Sequence, residues 1–160
     1  MTADWDKVES HKKFIASDDY APMLKRFEGL LSGPPELIHF EYASAGAQRV
    51  AFGAPITEHV TLFFSEKDES KNEKIVKLGE ALMSHATPAP LAVVGGWSVE
   101  EVEHEKLEGK KGKAYRVALG WNSIEEHMAC RNTDAFKNNI GLLRENAKGV
   151  DVVHVVMQQD

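Results

Sequence analysis

The chain has 160 residues, 42% of them apolar and 28% charged, with a net charge of -6. This suits one domain, or one and part of a second, and is too apolar for a disordered chain. The acidic balance argues against a nucleic-acid-binding face, no apolar run is long enough to cross a bilayer, and the polar N-terminal stretch is not a secretory signal.

Residues 6–16 read as a short helix with Val8, His11 and Ile15 on one face. Ser17 or Asp18 can cap a second helix that runs to about Leu31, with Pro22 near its first turn, until Ser32-Gly-Pro-Pro35 stops it. A strand is expected over 37–43. The small-residue-rich stretch 44–55 reads as a linker. Residues 56–64 form the clearest strand, β-branched and aromatic. Ser70 and Glu73 make a capping box for a helix to about His85, which places Ile75, Leu78 and Leu82 on one face. Strands follow over 91–97, broken by Gly95-Gly96, and over 114–121. The charged segment 98–111 between them reads as solvated. Ser123 and Glu126 make a second capping box, opening two helices that break near Thr133, and a last strand spans 150–157.

The chain is organised by an internal repeat. Trp5-Asp-Lys-Val-Glu-Ser-His11 recurs as Trp121-Asn-Ser-Ile-Glu-Glu-His127. Ser17-Asp18 answers Thr133-Asp134, and Leu37-Ile-His39-Phe40 answers Val152-Val-His154-Val155 with a one-residue slip. Residues 1–43 are thus a partial copy of helix, helix and strand, 44–55 a linker, and 56–160 a complete β-α-β-β-α-β unit of ferredoxin-like order. The last strand is apolar on both alternating faces, through Val152, Val153, Val155, Val156 and Met157. Helices can cover one such face, and a second sheet closing a barrel can cover the other.

Glu58-His59-Val-Thr-Leu-Phe-Phe64, together with Tyr115-Arg-Val-Ala-Leu-Gly-Trp121-Asn-Ser-Ile-Glu-Glu-His127, resembles the dimeric α+β barrel superfamily, especially the stress-responsive A/B barrel and antibiotic-monooxygenase-like groups. The resemblance spans about 56–157, and again 5–43 for the half copy. It implies an α+β fold in which two chains close a barrel as a homodimer, with strand 37–43 protecting one edge of the complete sheet. A shortened form of a longer protein is the other reading of the half copy. The function it implies is binding of a small aromatic or polyketide-like ligand, in the manner of a cofactor-free cyclase or monooxygenase-like enzyme. The alternative is a stress-related structural oligomer without catalysis.

The matching position to His59 in olivetolic acid cyclase-like proteins is a histidine lining the cavity, and Tyr115 falls where they carry another. Either residue can exchange a proton with a phenol or carbonyl, and these two are the candidate catalytic pair. Where that group has its acid–base tyrosine and histidine, this sequence has Cys130 and Phe136. Phe63, Trp121, His127 and His154 are candidate ligand-lining residues. His127 can equally be a helix-face histidine bonded to backbone, Trp121 a wedge between helix and sheet, and His154 a strand residue covered by a helix. Cys130 is the only cysteine, so no intrachain disulfide forms; a reducing, cytoplasmic setting is expected, with the thiol inert within a helix. No His-x3-His or Cys-x2-Cys spacing occurs, His104 lies in the solvated charged segment, and no metal or cofactor is expected. The partners expected are a second copy of the chain and a small ligand, with neither nucleic acid nor membrane.

Overall fold

Nine consecutive buried residues, Ile56–Phe64, form the strand around which the sheet is built. The computed structural model describes residues 3–30, 33 and 37–156, so the expectations placed on Leu31, Ser32, Pro34, Pro35 and Met157 lie outside the described residues. Among these the helices are α1 (Val8–Ile15), α2 (Tyr20–Lys25), α3 (Ala45–Phe52), α4 (Lys71–His85), α5 (Ile124–Cys130) and α6 (Asp134–Arg144). The strands are β1 (Phe40–Tyr42), β2 (Ile56–Phe64), β3 (Ala92–Ser98), β4 (Val102–Glu103), β5 (Lys111–Trp121) and β6 (Gly149–Val156). The protein is therefore α+β, and no described helix is long and apolar enough to cross a membrane.

The strands form an open antiparallel sheet in the order β1-β3-β5-β2-β6, with β4 paired to β5. Side chains alternate across it with period two. Ile56, Glu58, Val60 and Leu62 lie opposite Trp121, Leu119, Val117 and Tyr115 on β5 and share their face. That face forms the main core with Ile75, Leu78 and Leu82 of α4, Cys130 of α5 and Leu143 of α6. Tyr115 crosses its neighbour strand at Gly95, where a Cβ would overlap the ring, and its hydroxyl donates to Asn72 Oδ1 at 2.7 Å. Thr57, His59, Thr61 and Phe63 point to the other face. There Ala51 of α3 packs with Ala92, Val94 and Ala118 in a smaller core.

Several local expectations change. Residues 44–55 are not a linker. Ser44 Oγ accepts from Ala47 N at 3.3 Å and caps α3, since alanine favours helix once a cap satisfies its first turn. Small residues let this helix lie close: a Cβ at Gly120 would sit 3.0 Å from Ala51 Cα. The strand expected over 37–43 is ordered as β1 at 40–42, and it pairs with β3 at the edge of the sheet. Ser123 Oγ caps α5 through Glu126 N at 3.2 Å, as its spacing suggests. Ser70 does not cap α4, because its hydroxyl binds Asp68 Oδ1 at 2.6 Å instead. The segment 98–111 holds β4 and a 3-10 turn, with Val102 and Leu107 buried.

The chain divides into two units, Met1–His39 and Phe40–Asp160. The first holds α1 and α2. In it Trp5 packs on Phe14, and Phe14 meets Tyr20 edge-on at 5.8 Å. In the second unit every residue of β6 after Gly149 is exposed, valines of both faces included.

The C-terminal end of α6 is closed by a side chain from α4. The fully buried Lys71 donates from Nζ to Leu142 O and Glu145 O at 3.1 and 3.3 Å, with the ammonium over the Phe64 ring. These carbonyls would otherwise lack partners at the helix terminus. Lys71→Met should lower stability by about 1–3 kcal/mol in urea unfolding, the cost of leaving such acceptors unpaired; an unchanged midpoint would show that water replaces the ammonium freely.

Candidate functional site

The helix-covered face of the sheet carries a polar cluster at one end of its core. Glu58 on β2 and His154 on β6 are directly opposite across the strand pair. Trp121 ends β5, and Ser123 then starts α5, which brings His127 down over both. Trp121 Nε1 donates to Glu58 Oε2 at 3.3 Å, and His127 Nε2 lies 3.3 Å from the same oxygen. His127 Nδ1 faces His154 Nε2 at 3.0 Å. The Trp121 and His127 rings stack at 5.0 Å and 28°. Glu58 is 8% exposed and His127 4%, whereas His154 is open to solvent.

Burial pushes the Glu58 carboxyl up to about 7, against the indole hydrogen bond and the Arg131 charge, which pull it down. Burial also pushes His127 down to about 4, aided by His154 and Arg131. Both shifts disfavour charge inside the cluster. With its proton, the carboxyl donates to His127 Nε2, and His127 Nδ1–H then donates to His154. Without it, His127 Nε2–H donates to the carboxylate, and Nδ1 accepts from His154. The proton on Glu58 and the tautomers of the two imidazoles are therefore linked through these contacts. Glu58, His127 and His154 each also offer one potential metal-ligand atom, all within 4.8 Å of one another.

The first unit repeats this arrangement internally. Trp5 stacks on His11 at 4.6 Å and 16°, and His11 Nδ1 faces His39 Nε2 at 2.7 Å. The same two nitrogens meet in both copies, so the sequence repeat preserves a side-chain geometry. Each helix histidine thus meets a second histidine, His39 just before β1 and His154 on β6.

The opposite face carries the second group. His59 is buried beside Phe52 of α3, with ring centroids 5.1 Å apart, and its Nδ1 has no hydrogen-bond partner among the described residues. Arg116 lies on the same face, directly opposite Thr61. Its Nε donates to Thr61 Oγ1 at 3.1 Å, and its guanidinium sits over the Phe40 ring at 4.2 Å. Among the described residues it has no carboxylate within ion-pair distance. Burial, and secondarily Arg116, depresses His59 to about 4, so it is neutral at pH 7.

The sequence-derived residues thus separate. Trp121, His127 and His154 come together. His59 and Tyr115 do not, because they occupy opposite faces, and Tyr115 is a buried core residue whose phenol burial pushes well above its usual range. Phe63 stacks on His104 at 3.8 Å, away from either cluster, and His104 is itself within 3.8 Å of Asp151 rather than in a purely solvated segment. Glu58 and Arg116 are additions. Their signal is a charged residue within an otherwise apolar strand, which is expensive to bury without a purpose. Cys130 is fully buried, and burial pushes its thiol up, consistent with an inert side chain. A depression of about 430 Å³ lies on the helices, lined by Met128, Arg131, Phe136 and Lys137 among others, with no sheet residue in its wall.

Compared with known protein families, curated proteins and solved structures, the chain matches none.

His59 makes the fold acid-sensitive. Its folded pKa lies below the unfolded value of 6.5, so the unfolded chain binds more protons between that value and about 4. Stability from this group is complete above pH 6.5 and is lost as pH falls through about 4. A His59→Phe variant should lose roughly 2 kcal/mol less than the parent between pH 7 and pH 4.5, by urea unfolding at both pH values. Equal losses would show that His59 is not buried in its neutral form.

Proposed function

We propose that the chain is a small-molecule-binding protein, and that its ligand is an aromatic or polyketide-like organic anion held on the sheet face of Arg116 and His59. The observation that carries this reading is a partly buried guanidinium with no carboxylate partner, beside a buried imidazole nitrogen with no hydrogen-bond partner, both among the described residues. A carboxylate or phenolate would accept from Arg116, and a neighbouring hydroxyl or carbonyl would meet His59 Nδ1. Such charge-assisted pairing and a filled buried valence are what this site lacks. Phe40, Tyr42 and Phe52 offer flanking ring surface. Neutral His59 can also take a proton from an enolisable ligand, which is the step a cofactor-free cyclase or monooxygenase-like enzyme would need. Tyr115 is not part of this reading.

The strand order β6-β2-β5-β3 of the complete unit supports the ferredoxin-like arrangement and, with it, the likeness to dimeric α+β barrels. We test the ligand reading with salicylate and benzoate against neutral benzyl alcohol by calorimetry. Arg116→Gln should weaken binding of the two anions about 10- to 100-fold, the loss of about 1.5–3 kcal/mol for a charged hydrogen bond. Equal affinity of the variant, or equal binding of benzyl alcohol, would overturn it.

A second reading, a non-catalytic homo-oligomer, is favoured by β6. Val153 and Val156 are 58% and 62% exposed on an edge strand, and such an edge invites strand pairing. A Val153→Lys, Val155→Lys double variant should sediment as a monomer where the parent sediments as a dimer at micromolar concentration. A monomeric parent would remove this reading and leave the ligand test unaffected.

A further inference from the structure

We propose that Glu58, His127 and His154 bind a divalent transition-metal ion of the zinc class. The inference stands apart from the anion reading, since these residues occupy the opposite face of the sheet. Two imidazole nitrogens and one carboxylate oxygen are the donor set that borderline ions such as zinc, cobalt and nickel prefer, and calcium or magnesium do not. Donors about 2.0–2.1 Å from a tetrahedral ion lie roughly 3.3 Å from each other. His127 gives one ion a single ring nitrogen, so its approaches to Glu58 through Nε2 and to His154 through Nδ1 are alternatives, and one donor atom from each of the three residues falls within 4.8 Å of the others. Turning one carboxylate or one ring converts a chain of hydrogen bonds into a three-donor site.

The surroundings hold these donors in place. The Trp121 indole N–H fixes Glu58 Oε2, and its ring stacks on His127. Outer partners of this kind orient metal ligands. Glu58 and His127 are buried, while His154 is exposed, so the cluster meets solvent at His154. A site with three protein donors and one open position can also take a water or a ligand atom. The first unit holds a related pair, His11 and His39, with ring nitrogens 2.7 Å apart.

The test uses the full chain, loaded with Co²⁺ and followed by its visible absorption, with Zn²⁺ affinity obtained by competition. The parent should show a four-coordinate cobalt spectrum that zinc displaces and that excess Mg²⁺ or Ca²⁺ does not. His154→Gln, an exposed and fold-tolerant change, should weaken zinc more than about 100-fold, beyond the loss expected for an outer partner, whereas Trp121→Phe should weaken it about 10-fold. Glu58→Gln should also weaken it strongly, with melting of each variant recorded to show that it remains folded. Binding unaffected by His154→Gln, binding lost instead in His11→Gln, or equal displacement by Mg²⁺ would each overturn the proposal.

Discussion

The alternation of β2 is the constraint on which the rest depends. Pairing with β5 on one side and β6 on the other leaves Ile56–Phe64 without a solvent-facing edge, and all nine residues are buried. Successive side chains must then enter two different interiors. Glu58 goes under α5 to His127, and its sequence neighbour His59 goes to the side of α3 and Arg116. A one-residue slip in register would exchange them and leave each among the wrong partners. Two polar groups that look like one motif in sequence are, physically, two sites separated by the thickness of a sheet.

Burying such groups costs stability unless each is matched. The two faces solve this differently. On the helix side, carboxyl, indole and two imidazoles satisfy one another, and the cost is met within the protein. On the other side, matching among the described residues is incomplete: Thr61 and the Phe40 ring contact Arg116, and His59 Nδ1 has no hydrogen-bond partner. The helix-side cluster is satisfied within the protein, whereas the other face leaves donors that an anionic acceptor would complete. The fold by itself can host many chemistries, so the proposed function rests on that difference between the faces.

The α+β character, strand β2 and the two final helices are legible in the sequence because local signals define them, such as the Ser123 cap and the β-branched run of β2. Helix α3 is not, since the alanines and glycines after Ser44 look like a linker until Gly120 provides a groove for close approach. The Ser70 box misleads because Asp68 takes the hydroxyl first. Trp121, His127 and His154 stand out through the repeat. Glu58 has no counterpart in the half copy's sequence, and only the β2–β6 register brings it to them. Pairing His59 with Tyr115 requires the two to share a face, and that information lies in a register between strands many residues apart.

Long-range proton–nitrogen NMR of the imidazole side chains addresses this two-faced arrangement most directly, recorded for the parent and for His154→Gln at pH 7. The nitrogens of His127 should shift with loss of its partner, and those of His59 should stay where they are, neutral in both proteins. Matching shifts in His59, or a His127 ring that ignores the substitution, would mean that β2 does not divide these groups between opposite sides.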